Sequence, residues 1–420
     1  MSEPLRVTLV ASHSANVVRA AALVRGLVAS GVDVTVMARV VADGCLPAGV
    51  EHAPVPLSRR QPWTVAATAP ILVARFAERT PHLVHALDHV AALAALPAAG
   101  AAGVAGIVAS LGGAPPRTVS TRQPRGAAAL VASVIDPAMG HATASLGAVA
   151  PARARFVALV GGERDAWATA LGFERGRVLA MEGGLGVEVD TLSNRLSALR
   201  AAGKQSLAVE RAPLVFGIAA DPRRPDAATE LVRRLRVRLP DVALVLLDER
   251  ALAARLAVRF GSTDGARGEA TLAALDALVD LDPTPAEPLR AATCAVLGVP
   301  SIGWDKPHLR DVVRPGHTGV LVRSDDISGL VDAVASYAAA PQTLRDHGTR
   351  ARSLGARLFD ADLAAARVLR LYDELLGGPG AEPLHLTPDG SLVGRAERRV
   401  VQHVAPPAAG AGRGPGPTSR

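Results

Sequence analysis

Residues 298–326 read Gly-Val-Pro-Ser-Ile-Gly-Trp-Asp-Lys-Pro-His-Leu-Arg-Asp-Val-Val-Arg-Pro-Gly-His-Thr-Gly-Val-Leu-Val-Arg-Ser-Asp-Asp. The opening run, Val299 to Ile302, is a short apolar strand. A glycine-containing loop follows, then a short helix and a tight turn at Pro315-Gly316. A second apolar run, Gly319 to Val322, is another strand. Two buried strands joined by a helix are the repeating unit of a parallel sheet.

The pattern extends outward from there. Toward the N-terminus, strands are expected at Leu214 to Ala219, Val242 to Leu247 and Ala277 to Leu281, with helices at about 225–239, 250–259 and 289–297. Toward the C-terminus, helices are expected at about 327–339, 341–359 and 360–376. The first half repeats the scheme. Leu5 to Ala11 is apolar-rich, and residues 16–30 carry Val17, Ala21, Val24 and Val28 at helical spacing. A run with Val32, Val34 and Val36 on one face follows. Further strands are expected near 83–86, 106–110, 155–160 and 177–180. This alternation predicts two doubly wound α/β halves.

The expected boundaries are 1–189 for the first half, 190–211 for a polar connection and 212–358 for the second half. Residues 359–378 form a returning helix. Residues 379–420, rich in Pro, Gly, Ala and Arg, are expected to be disordered.

At 420 residues the chain can bury two sizeable cores. The net charge of +7 and pI near 10.4 permit contact with acidic surfaces. Aromatics make up only 3% and no reading motif is present, which argues against nucleic acid. Cys45 and Cys294 stand far apart and predict a reducing cytoplasm rather than a disulfide framework. The start resembles no signal peptide. His89 to Pro116 lacks charge, but it is interrupted by Pro97, Gly100, Gly103 and Gly106. It reads as helix, turn and buried strand, with a spanning helix as the alternative. Asp280-Leu281-Asp282 is too short a match to a metal-binding motif to count, and no metal or cofactor is expected.

Fold class alone also fits a periplasmic-type binding protein or a sugar epimerase. The motifs are more particular. The 298–326 stretch resembles the nucleotide-sugar segment of GT-B glycosyltransferases of the family-4 type. "PHLVHALDHVAALAAL", residues 81–96, is similar to a first-half motif of that family. So is "RFVALVGGERDAWATALGFERGRVLAMEGGLGVEVDTL", residues 155–192. Residues 344–376 resemble its terminal helices.

The resemblance implies metal-independent transfer of a hexose from a nucleoside-diphosphate sugar to an acceptor, with retention. It places Arg223, Arg224, Thr293, Thr318 and Gly319 at the donor. Ser12, His13, Ser14 and Asn16 form an acceptor-side loop, joined by the Arg117 to Arg125 loop. Glu287 and His85 are the catalytic candidates. Each has a plainer reading: Glu287 as a solvated loop carboxylate, His85 as a satisfied buried histidine.

The sequence departs from the family pattern at four places. The first loop has no glycine pair. Gly112 stands where a histidine is usual. Ile218 or Ala219 stands where an arginine is usual, leaving Arg223 and Arg224 to meet phosphate. The paired glutamates fall at Pro285 and Thr293. An alternative expectation is therefore an inactive GT-B homologue acting as a subunit, scaffold or binding module. The implied partners are a nucleotide sugar, an acceptor, a companion glycosyltransferase and an acidic membrane face touched from the cytoplasm.

Overall fold

The computed structural model describes residues 4–41, 43–58, 61, 63–112, 115, 141–142, 144–146, 154–174, 177–181, 184–221, 224–263, 265–281 and 289–377. Glu287, Arg223, Pro285, Asp282, the 117–125 loop and the tail after residue 377 lie outside them.

The first half begins with β1 (Arg6–Val10), α1 (Ser14–Ala29), β2 (Asp33–Ala38) and β3 (Glu51–Pro54). It continues with α2 (Trp63–Arg79), β4 (Leu83–Ala86), α3 (His89–Ala101) and β5 (Gly106–Leu111). β6 (Ala154–Ala158), a 3-10 turn at Gly161–Glu163, α4 (Arg164–Ala170) and β7 (Val178–Ala180) complete it. The strands pair in parallel in the order β3-β2-β1-β4-β5-β6-β7.

The second half holds α5 (Val189–Ser206), β8 (Val215–Ala219), α6 (Pro225–Arg238), β9 (Ala243–Leu247), α7 (Arg250–Arg255) and β10 (Arg259–Gly261). Then come α8 (Gly265–Ala273), β11 (Ala277–Asp280), α9 (Leu289–Val296), β12 (Ser301–Trp304) and α10 (Pro307–Val312). β13 (Gly319–Val322), α11 (Ile327–Ala339), α12 (Pro341–Leu358) and α13 (Ala361–Leu376) end the described chain. The second sheet is parallel in the order β10-β9-β8-β11-β12-β13.

Both sheets are buried on both faces. In the first, Val7, Leu9, Val34 and Val36 pack against α1 and α13, while Val10, Val84 and Ile107 pack against α2 and α3. In the second, Val215, Leu247 and Leu278 face α5, α8, α9 and α12, and Phe216, Ile218 and Ile302 face α6 and α11. Continuous apolar strands follow from that double coverage.

The returning helix α13 belongs to the first sheet's core through Val368, Leu371 and Tyr372. It starts where Asp360 accepts the amides of Asp362 and Leu363 at 3.0 and 3.1 Å. It crosses α1 at Gly26, where an added Cβ would sit 2.5 Å from Ala365 Cβ. The passage between halves is stitched by Val187, whose N–H donates to Phe359 O at 2.6 Å and whose carbonyl accepts from Ala361 N at 3.0 Å.

Three local expectations differ from the structure. The 190–211 stretch is largely helical, as α5. Arg259–Gly261 is an edge strand rather than the end of a helix. α3 runs through Pro97 and Gly100 and stops at Ala101. Pro97 points outward while alanines bury the other faces, so the helix tolerates the lost N–H. Residues 89–111 of the uncharged segment are helix, turn and buried strand. No helix among the described residues is long and apolar enough to cross a membrane.

Candidate functional site

In an open parallel sheet, ligands bind outside the carboxyl ends of the strands, where the strand order reverses. Those points are β1/β4 in the first sheet and β8/β11 in the second.

At β1/β4 the sequence supplies Ser12-His13-Ser14-Ala15-Asn16 after one strand and Leu87-Asp88-His89 after the other. The Asp88 carboxylate organises them. It accepts Ser12 N at 3.0 Å, Ser12 Oγ at 2.7 Å and Asn16 Nδ2 at 2.7 Å. It also caps α3 through Ala91 N at 2.9 Å. The N-cap of α1 is His13, whose Nδ1 accepts Ala15 N at 3.1 Å. The Asn16 side chain is drawn to Asp88. Ser12 and Asn16 thus meet on one carboxylate, and the residue that joins them, Asp88, was missed. Its signal was present: an Asp directly before an apolar helical run.

His85 lies beneath this loop with no exposed surface. Its Nδ1 meets Tyr372 Oη and its Nε2 meets Ser110 Oγ, each at 2.7 Å. Burial lowers its pKa to about 3, so the ring is neutral at ordinary pH. This geometry ties β4 to β5 and to α13.

On the second sheet Arg224 stands at the N-cap of α6, just past β8. Its guanidinium pairs with Asp325 at 2.6 Å and lies 5.6 Å from the Trp304 ring centroid. Trp304 ends β12 and is buried, and its indole N–H has no hydrogen-bond acceptor among the described residues. Arg224 therefore reaches from the β8–α6 loop to the β13–α11 loop. Thr293 sits on α9, half-buried, one turn past the helix start.

Thr318 and Gly319 lie elsewhere, at the amino end of β13. Thr318 Oγ1 accepts Arg314 N at 2.8 Å and closes the turn. An added Cβ on Gly319 would sit 2.2 Å from Ser301 O. The structure does not bring these two residues to Arg224 and Thr293.

The two carboxyl edges touch at one corner. Gly161 N, just beyond β6, donates to Asp311 Oδ2 of α10 at 2.8 Å. Gly162 packs on Pro307, with a hypothetical Cβ only 2.8 Å from Pro307 Cβ. Glu163 in the same turn has its pKa raised by burial. The arrangement is two facing carboxyl edges with an arginine and a helix N-terminus on one side. A hydrogen-bonded hydroxyl, amide and carboxylate cluster stands on the other. No group of three or more metal-ligating side chains occurs among the described residues.

Comparison with solved structures identifies the architecture. WaaG, a glycosyltransferase involved in lipopolysaccharide biosynthesis, superimposes with a TM-score of 0.66 over 89% of this chain and 100% of its own, at 16% identity. The chain has the GT-B fold. Sucrose-phosphate synthase from Thermosynechococcus elongatus gives 0.69 over 89% and 100%, also at 16% identity. Anabaena Alr3699/HepE in complex with UDP-glucose gives 0.67 over 88% and 99%, at 12% identity. No family model and no curated protein matches the sequence. The GT-B assignment agrees with the two doubly wound halves and the returning helix expected from sequence.

Proposed function

We propose that this chain is a glycosyltransferase of the GT-B type that takes a nucleoside-diphosphate sugar as donor. The observation that carries the reading is the pair of carboxyl edges meeting at Gly161 and Asp311, with Arg224 and the α6 N-terminus on the second sheet's edge. A helix N-terminus and a guanidinium suit a diphosphate. Donor binding falls to residues 212–358, through Arg224, Arg223, Thr293 and Glu287. Acceptor binding falls to residues 1–189, around Ser12, His13, Ser14 and Asn16.

Transfer requires the departing nucleoside diphosphate to be stabilised as its bond to the anomeric carbon breaks. Arg224 carries a permanent positive charge for this. It must exchange Asp325 for phosphate, and the pair is nearly half-exposed, so the exchange costs little. The acceptor hydroxyl approaches from the Ser12–Asp88 side. Retention follows when it enters from the face the diphosphate leaves. His85, enclosed behind that cluster, positions β4 and α13 and does not touch substrate.

A second reading has one specific observation in its favour. The amide of Ser12, where a phosphate could dock on the first loop, already holds the Asp88 carboxylate. A chain that binds donor without turning it over fits that occupancy. Nuclear magnetic resonance of a donor panel decides between the two. The transferase reading expects consumption of one donor by the purified chain and a product of unchanged anomeric configuration. Donor binding with no consumption in the presence of any hexose or glycoside acceptor would favour the second.

A further inference from the structure

The turn between β13 and α11 carries a strained residue. Asp326 N donates to Arg323 O at 3.1 Å and closes a four-residue turn over Ser324 and Asp325. Asp325 has φ +66°. That left-handed position suits glycine or asparagine and disfavours other residues with a Cβ. Helix capping does not require a carboxylate there. The cap of α11 is the next residue, Asp326, which accepts Gly329 N at 2.8 Å.

The Asp325 carboxylate instead pairs with Arg224 at 2.6 Å. Arg224 follows β8, whereas Asp325 follows β13, the edge strand of the order β8-β11-β12-β13. The guanidinium lies 5.6 Å from the ring centroid of Trp304, at the end of β12. The pair thus draws the arginine from the β8/β11 switch point toward the edge of the sheet. Asp248, with φ +61°, is built alike on the other side of β8. It follows β9 and accepts Thr263 N at 2.7 Å and Arg290 Nη2 at 3.3 Å. The other described non-glycine residues with positive φ, Thr80, Ala208 and Ala257, follow helices α2, α5 and α7. A left-handed residue commonly ends a helix. The two aspartates end no helix and hold arginines at the carboxyl edge.

We propose that Asp325 is a positioning residue of the donor edge, one that holds Arg224 off the switch point and competes with phosphate for its guanidinium. The proposal rests on the reading that Arg224 receives the donor's diphosphate. A carboxylate on the same chain competes at an effective concentration that a free anion must overcome. Every anion that uses Arg224 needs the guanidinium released, so each is weakened by the same factor. Donor and departing nucleoside diphosphate are therefore held less tightly alike. The gain falls on the last step: as the nucleoside diphosphate moves off, Asp325 retakes Arg224, and the product leaves faster. The two side chains are 42% and 60% exposed, so the competition amounts to a few-fold.

Titration calorimetry of the full chain with inorganic diphosphate and with UDP tests the proposal. Asp325→Asn removes the charge and keeps a residue that tolerates the left-handed backbone. It should bind both probes about threefold tighter than wild type at low salt, by the same factor for each. The gain should shrink as salt screens the pair. Asp325→Gly should gain at least as much, and it decides the matter if the asparagine variant fails to fold. Arg224→Ala should bind both probes more weakly, and adding Asp325→Asn to it should restore nothing. A residue that only shapes the turn would leave affinity unchanged or lower it when replaced by asparagine, and either result overturns the positioning role. So does a gain that persists without Arg224, since the carboxylate would then act by general repulsion. Binding that needs Arg224 but ignores Asp325 removes this role and leaves the donor reading standing. Tighter binding by Asp325→Asn with no sugar consumed keeps the role and removes the transferase reading. Failure of every variant to bind either probe removes both.

Discussion

Gly319→Ala should destabilise the second sheet by about 3 kcal/mol, at the upper end of what overpacking costs. The new methyl would stand 2.2 Å from Ser301 O and 3.0 Å from Val313 Cγ1. The first contact is with backbone, in the neighbouring strand of a buried pair, and cannot be relieved by a rotamer. The register Ser301↔Gly319 through Trp304↔Val322 would have to open. Gly316→Ala is the control. Gly316 has φ +74°, but a Cβ there meets nothing within 4 Å, so only backbone strain of roughly 1 kcal/mol is expected. In thermal unfolding, roughly 2–4 °C per kcal/mol gives a loss of about 6–12 °C for Gly319→Ala. Gly316→Ala should lose about a third of that. Equal losses would mean that backbone strain, not the strand approach, governs the segment.

Acid should destabilise the wild-type chain more steeply than a His85→Leu variant. The His85 pKa is about 3 in the folded chain and near 6.5 once unfolded, because burial disfavours the imidazolium. The folded pKa is depressed, so the unfolded state binds the proton more readily. The stabilisation is complete above about pH 6.5 and is lost as pH falls toward 3. Each pH unit in that window costs about 1.4 kcal/mol, or about 2 kcal/mol between pH 6.5 and 5. Other groups titrate there too: burial raises Glu163, Glu269 and Asp360, which opposes the trend. The difference between the two proteins isolates His85. His85→Leu leaves the hydroxyls of Tyr372 and Ser110 without their shared partner and should cost about 1–3 kcal/mol at neutral pH. Urea unfolding at several pH values reads both effects. Parallel pH curves for the two proteins would contradict the account.

Much of the fold was legible because its signals are local. Apolar runs bounded by glycine, and helices with apolar residues at three- and four-residue spacing, placed most strands and helices within a few residues. The Pro315-Gly316 turn was visible as turn chemistry. The short edge strands β3 and β10 were not, because an edge strand such as Glu51–Pro54 buries only Ala53 and shows no apolar run. The candidate site was less legible. Ser12, His13, Asn16 and Arg224 were named through the family resemblance, each lying just after a strand. Asp88, Asp325 and Asp311 were not, since each acts on a residue at least 70 positions away in sequence. Thr318 and Gly319 illustrate the opposite error. A motif that marks a site can lie at the far edge of the sheet, where it shapes the strand that leads there.

The central claim is that the second sheet's carboxyl edge receives a nucleotide sugar through Arg224. Calorimetric titration of the full chain with UDP-, GDP- and dTDP-sugars tests it most directly. One of these donors should bind with a sub-millimolar dissociation constant, about tenfold or more tighter than to Arg224→Ala, as expected for loss of a charge-assisted contact to phosphate. Binding that is absent for every donor at millimolar concentration, or that is indifferent to Arg224, would contradict the account.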